Sequence, residues 1–182
     1  MSVGMEPVGQ AVLDAALPEL KDWLRLENGT DDAALRRVLA AAMDHAEAFC
    51  GQVVLQRAGI ETVRAGTDWR RLVATPLVSV SAALKLAGDG SAVALALSDY
   101  AIDRDGSGDA YLRLVQGQAG QDGALVELHL VAGLAASWAG LPDGLRQGVL
   151  RLAAHLFIER EADGPPAIVA ALWRPWRRMR LI

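Results

Sequence analysis

The spacing of apolar residues changes period twice along this chain, and that double change limits its fold more than any single motif. Leu13, Leu17, Leu20 and Leu24 recur at intervals of four, three and four, which sets them on one face of a helix. Asn28-Gly29 reads as the turn that ends it. Thr30 or Asp31 can cap a second helix, and Asp31 and Asp32 suit its positive end. Leu35, Val38, Leu39, Ala42, Met43, Ala46 and Phe49–Cys50 then keep helical spacing until Gly51.

From residue 53 to 133 the pattern shortens. Val53–Leu55, Ile60–Val63, Leu72–Val73, Val78–Leu86, Ala92–Leu97, Tyr100–Asp103, Tyr111–Val115 and Ala124–Val131 are short apolar or alternating runs between turn signals. Asp89-Gly90 and Asp105-Gly106 suit hairpin turns. Helical spacing returns after Pro142-Asp143, with Leu145, Val149, Leu152, Ala153, Leu156 and Phe157 as the apolar stripe. Asp163-Gly164-Pro165-Pro166 ends that helix, and Ile168 to Trp173 forms a last amphipathic stretch. The pattern predicts an α+β fold that is mainly helical, as one domain over 1–182. Its parts are helices over 12–51, an antiparallel β meander inserted over 53–133, a core helix over 142–163, and a helix with a basic tail over 165–182.

Composition narrows the class. With 52% hydrophobic residues and a net charge of −4, the 182-residue chain has the usage of a folded globular protein rather than a disordered one. A single cysteine, Cys50, excludes an intramolecular disulfide framework and a multi-cysteine zinc site. No Lys or Arg precedes Lys21 and no apolar core follows the N-terminus, so no signal peptide is expected. The run from Leu130 to Leu141 is shorter than the roughly 20 residues that cross a bilayer.

Candidates for chemistry are few. His45, His129 and His155 stand apart without metal-ligand spacing, and each reads as a partly buried, hydrogen-bonded or interfacial residue. Asp103, Asp105 and Asp109 surround Gly106 and Gly108 but lack the order of a calcium loop, so a polar turn is expected. Gly106-Ser107-Gly108 has no nucleophile-elbow context, and Gly117 to Gly123 has no phosphate-loop lysine. Cys50 has no partner histidine and reads as a core residue. No catalytic residue, metal site or cofactor is expected.

The C-terminus is the most informative stretch. Trp173, Trp176 and Met179 are three apart and interleaved with Arg174, Arg177, Arg178 and Arg180. Residues 174–182 carry four arginines and no acid, which leaves 14 basic and 22 acidic groups, a charge of −8, on the other 173 residues. Aromatic and Arg side chains are the favoured anchors of protein interfaces. They also suit stacking and phosphate contact on nucleic acid, although four charges on an acidic body make a weak site there.

Three stretches together resemble the head–tail connector (adaptor) proteins of long-tailed phages and of bacterial gene transfer agents. They are Leu20-Lys-Asp-Trp-Leu-Arg-Leu ahead of the helix ending Ala46-Glu-Ala-Phe-Cys-Gly, Leu141-Pro-Asp-Gly-Leu-Arg through Phe157-Ile-Glu-Arg-Glu, and Ala171-Leu-Trp-Arg-Pro-Trp-Arg-Arg-Met-Arg-Leu. The sequence departs from the family's pattern at Trp176, where Tyr is usual, and at Gly148, where Ala is usual. Gly148 costs about 1 kcal/mol in a helix interior, so it points to a close helix contact.

The resemblance implies a non-enzymatic ring, usually of twelve copies, beneath the portal in the neck of a phage-like particle. A stopper or other neck protein would bind below it, and DNA would pass through its channel without specific binding. The protein would be made in the bacterial cytoplasm, and no membrane is implied. The family's C-terminal segment reaches into the portal, which makes Trp173, Arg174, Trp176, Arg177, Arg178, Arg180 and Leu181 the expected portal-docking residues. On this reading the tail orders on meeting its partner, and a chain ending at Gly164 folds but does not dock. The alternatives are another neck component, such as a stopper or tail-completion protein, and a nucleic-acid-binding module using the Arg/Trp tail.

Overall fold

The structure is a computed structural model that describes residues 2–118, 123–159 and 164–178. The chain divides into two compact units: Met1–Glu6 with Gln56–Leu134, and Pro7–Leu55 with Ala135–Ile182.

The second unit is helical. It contains α1 (Gln10–Leu24), α2 (Asp32–Cys50), α3 (Asp143–Ile158) and α4 (Ala167–Trp173). The leucine stripe of α1 is buried at Leu13, Leu17 and Leu20, and α2 buries Leu35, Leu39, Ala42, Met43 and Ala46. From α3 come Leu145, Val149, Leu152 and Ala153. The end of α1 differs from expectation: Arg25, not Asn28-Gly29, takes the left-handed conformation at φ 56°. Its N–H and that of Leu26 close back on the carbonyls of Asp22 and Lys21, at 3.2 and 3.0 Å. Gly51 ends α2 as expected, at φ 66°.

The first unit carries the eight strands of the described residues: β1 (Ser2–Met5), β2 (Arg57–Ala65), β3 (Arg70–Arg71), β4 (Leu77–Leu86), β5 (Ala92–Ala94), β6 (Tyr100–Arg104), β7 (Ala110–Leu114) and β8 (Ala124–Ala132). They form a five-stranded sheet in the order β1-β2-β8-β4-β5 and a three-stranded sheet in the order β3-β7-β6, all pairings antiparallel. In β8, Ala124, Val126, Leu128, Leu130 and Ala132 are buried and the intervening residues face outward. Glu61 of β2 is fully buried, and its two carboxylate oxygens accept the backbone N–H groups of Val73 and Ala74 at 2.7 and 2.9 Å.

This architecture corrects the expected fold class. Of the described residues 37% are helical and 29% lie in strands, so the fold is α+β and not mainly helical. Nor are the strands a meander. The last strand, β8, sits between β2 and β4, because its run of buried residues is the longest and belongs at the sheet's centre. The chain leaves that sheet to build β3, β6 and β7 separately. β1 was not foreseen: Ser2–Met5 is short, contains Gly4, and shows no alternation of burial.

Candidate docking surface

The C-terminal segment is built on the helical unit from the inside out. Trp173, the last residue of α4, is buried, and its indole N–H donates to the carbonyl of Leu145 at 3.3 Å. The Phe49 ring lies 5.9 Å from it, tilted by 53°. Gly148 makes room for the indole: a Cβ there would fall 2.1 Å from Trp173 Nε1. The close contact expected at Gly148 is therefore between α3 and the tail's first tryptophan.

A single 3-10 turn, Arg174–Trp176, follows, with Pro175 inside its first turn. Gln52 Nε2 donates to the Trp176 carbonyl at 2.7 Å, and the Arg178 N–H donates to the Cys50 carbonyl at 2.8 Å. These bonds hold the turn against the end of α2. Trp176 and Arg178 are half-buried, whereas Arg174, Pro175 and Arg177 are exposed. The Arg177 guanidinium stands 5.6 Å from the centre of the Phe49 ring, a cation–π distance. Of the expected docking residues, Arg174 and Arg177 thus present charge to solvent, while Trp173 and Trp176 position them. Arg180 and Leu181 lie outside the described residues.

Two expectations about this segment change. Through Arg178 the tail is packed on its own unit, not detached from it. A chain ending at Gly164 would also lose buried Val169 and Trp173, and so part of the helical core.

The other candidates take bland places. Cys50 is buried, and burial, with the nearby Glu47 carboxylate, pushes its thiol up to about 11. His129 lies 2.9 Å from Glu127, His155 lies 3.2 Å from the Gly164 carbonyl, and His45 is exposed on α2. Asp105 Oδ1 accepts the Ser107 N–H and hydroxyl and the Asp109 N–H, so 105–109 is the polar turn expected. These bonds, the Ser107 hydroxyl first, lower the Asp105 pKa below the ordinary carboxylate value. Asp109 pairs with Arg71. Among the described residues no group of three or more His, Cys, Asp or Glu could hold a metal ion.

Sequence reasoning passed over two exposed aromatics, Trp23 and Trp69. Trp23 on α1 is 44% exposed, with the Arg151 guanidinium of α3 4.9 Å from its ring centre. Its signal was its place, one residue off the apolar stripe that ends at Leu24.

No family model matches the chain, and no curated protein does. Solved structures do. The chain is 26% identical to a chain in the neck of an empty gene transfer agent (GTA) particle computed with C6 symmetry, with a TM-score of 0.80. The match covers 100% of this chain and 98% of that one. The fold is one used in the GTA neck. Chains from a native GTA virion and from a native GTA neck computed with C12 symmetry match at 26% identity and a TM-score of 0.76 each, over the same shares. The likeness is end to end, so it includes both units and the C-terminal segment. No helix among the described residues is long and apolar enough to cross a membrane.

Proposed function

We propose that this protein is a structural head–tail adaptor: copies of it form a ring beneath the portal, join the capsid to the stopper and tail, and surround the DNA path. The observation that carries this reading is the end-to-end likeness to a chain of the GTA neck, at a TM-score of 0.80 and 26% identity. The symmetries of those necks, C6 and C12, favour a ring of twelve copies. A closed ring needs two different complementary patches per subunit.

The C-terminal turn is the portal-docking element. Arg174 and Arg177 project from a turn anchored by a buried Trp173 and a half-buried Trp176, so the backbone that presents them is already ordered and docking costs mainly the rotamer freedom of the two Arg side chains. Arg178, Arg180 and Leu181 complete the docking stretch. The charge division fits the same role: an acidic body does not grip the DNA it surrounds, because affinity for DNA rises with the number of phosphates neutralised.

Charge reversal tests the docking. Arg174→Glu with Arg177→Glu leaves the melting temperature within a few degrees of wild type, because both side chains are exposed. The same pair removes portal binding in a pull-down. Undiminished portal binding by the double variant would overturn the assignment of this element.

A further inference from the structure

The five-stranded sheet ends differently on its two sides, and the two ends match. At one end is β1, which among the described residues pairs with β2 alone. At the other end β4 is covered only in part: β5 pairs with it from Leu84 to Leu86, and the Leu95 N–H reaches the Ala83 carbonyl. The outer edge of β4 from Leu77 to Ala82 has no strand beside it among the described residues. An open groove of about 340 Å³ follows that edge, lined by Leu77 to Val80 on one side and by Leu97, Tyr100, Ile102 and Arg104 on the other. Leu97 is 84% exposed, an apolar residue left in water. Unpaired sheet edges are templates for another strand.

We propose that the sheet continues from copy to copy, with β1 of one subunit entering this groove beside Leu77–Ala82 of the next. The inference rests on the ring reading above and names the surfaces that would make the ring. Three features fit a second copy. The first is direction: β1 runs antiparallel to β2, β2 to β8 and β8 to β4. In a ring successive copies keep the same sense, so an incoming β1 runs antiparallel to β4 and the alternation is unbroken.

The second is the pleat. Val3 and Met5 oppose Glu61 and Gly59, which are buried, while Leu77 and Val80 oppose Ala132 and Leu130, also buried. Both pairs therefore belong to the same face of the sheet. Val3, 41% exposed in the single copy, would lie over the groove that holds Leu97 and Ile102.

The third is charge. An antiparallel β1 brings Glu6, just past its end, to the Leu77 end of β4. There Arg104 guards the edge, its guanidinium donating to the carbonyls of Leu77 and Val78 at 3.2 Å each. Both Glu6 and Arg104 are exposed in the single copy. The contact is heterologous, β1 at one end against β4 at the other, as ring closure requires.

The test is a charge swap read as the amount of this chain in purified particle necks, with wild type in parallel. Glu6→Arg alone and Arg104→Glu alone should each lower incorporation roughly tenfold or more, because like charges would face each other at every interface. The combined variant should restore it, which a mere folding defect in either single variant could not do. Single variants that enter necks like wild type overturn the sheet contact. Single losses without rescue also overturn it. Wild-type chain missing from necks would instead contradict the ring reading itself.

Discussion

At the scale of single residues, the pairing of Gly148 with Trp173 is the sharpest packing feature of the helical unit. In most helix interiors replacing Gly by Ala gains about 1 kcal/mol. Here the new Cβ would lie 2.1 Å from Trp173 Nε1 and 2.7 Å from Cδ1, so the indole must move. Overpacking of this kind costs about 1–3 kcal/mol, and the indole's bond to Leu145 is strained as well. Gly148→Ala is therefore expected to lower stability in urea unfolding, despite its helix propensity. Cys50 gives a pH signature. Its folded thiol titrates near 11 against an ordinary 9.0, so the folded state holds the proton more tightly than the unfolded state. That contribution is complete below pH 9.0 and is lost as pH rises through about 11. The expected results are slow reaction with a thiol reagent in native protein at pH 8, fast reaction in denaturant, and a Cys50→Ala variant with a flatter alkaline stability profile.

At the scale of elements, the buried Glu61 ties β2 to the strand-free segment at Val73 and Ala74. Glu61→Ala would remove the carboxylate that both N–H groups bond and leave the buried Ala74 N–H without that acceptor, at about 1–3 kcal/mol. The expected outcome is a large fall in melting temperature, with amide exchange rising first at Val73 and Ala74. The helices and most strands were legible in the sequence because each rests on local periodicity: the stripes of α1, α2 and α3, and the alternation in β8. What local pattern cannot carry is which strands are neighbours. β8 pairs with β2 across more than fifty intervening residues, and β1 joins from the far end of the sequence. The Arg25 helix end was missed for a related reason: an arginine at positive φ has no residue-type signal, whereas Gly51 has one. In the C-terminal segment the spacing of Trp and Arg was visible. The division between anchoring tryptophans and presented arginines depends on Phe49, Gln52 and Gly148, which only the fold brings together.

At the scale of the whole molecule, the net charge of −4 is the sum of two opposed parts. The acidic body and the basic C-terminus would repel and attract different neighbours, which suits the proposed task of surrounding DNA while holding another protein. Under the proposed function the sheet edges would join copies and the C-terminal turn would join the portal. The central claim, an adaptor ring between portal and tail, is open to direct inspection. Electron microscopy of isolated particle necks, with and without a label fused to this chain, tests it. The account expects a closed ring of labelled copies, twelve in number, directly beneath the portal. Label at the tail end of the neck, or necks that are complete without this chain, would contradict it.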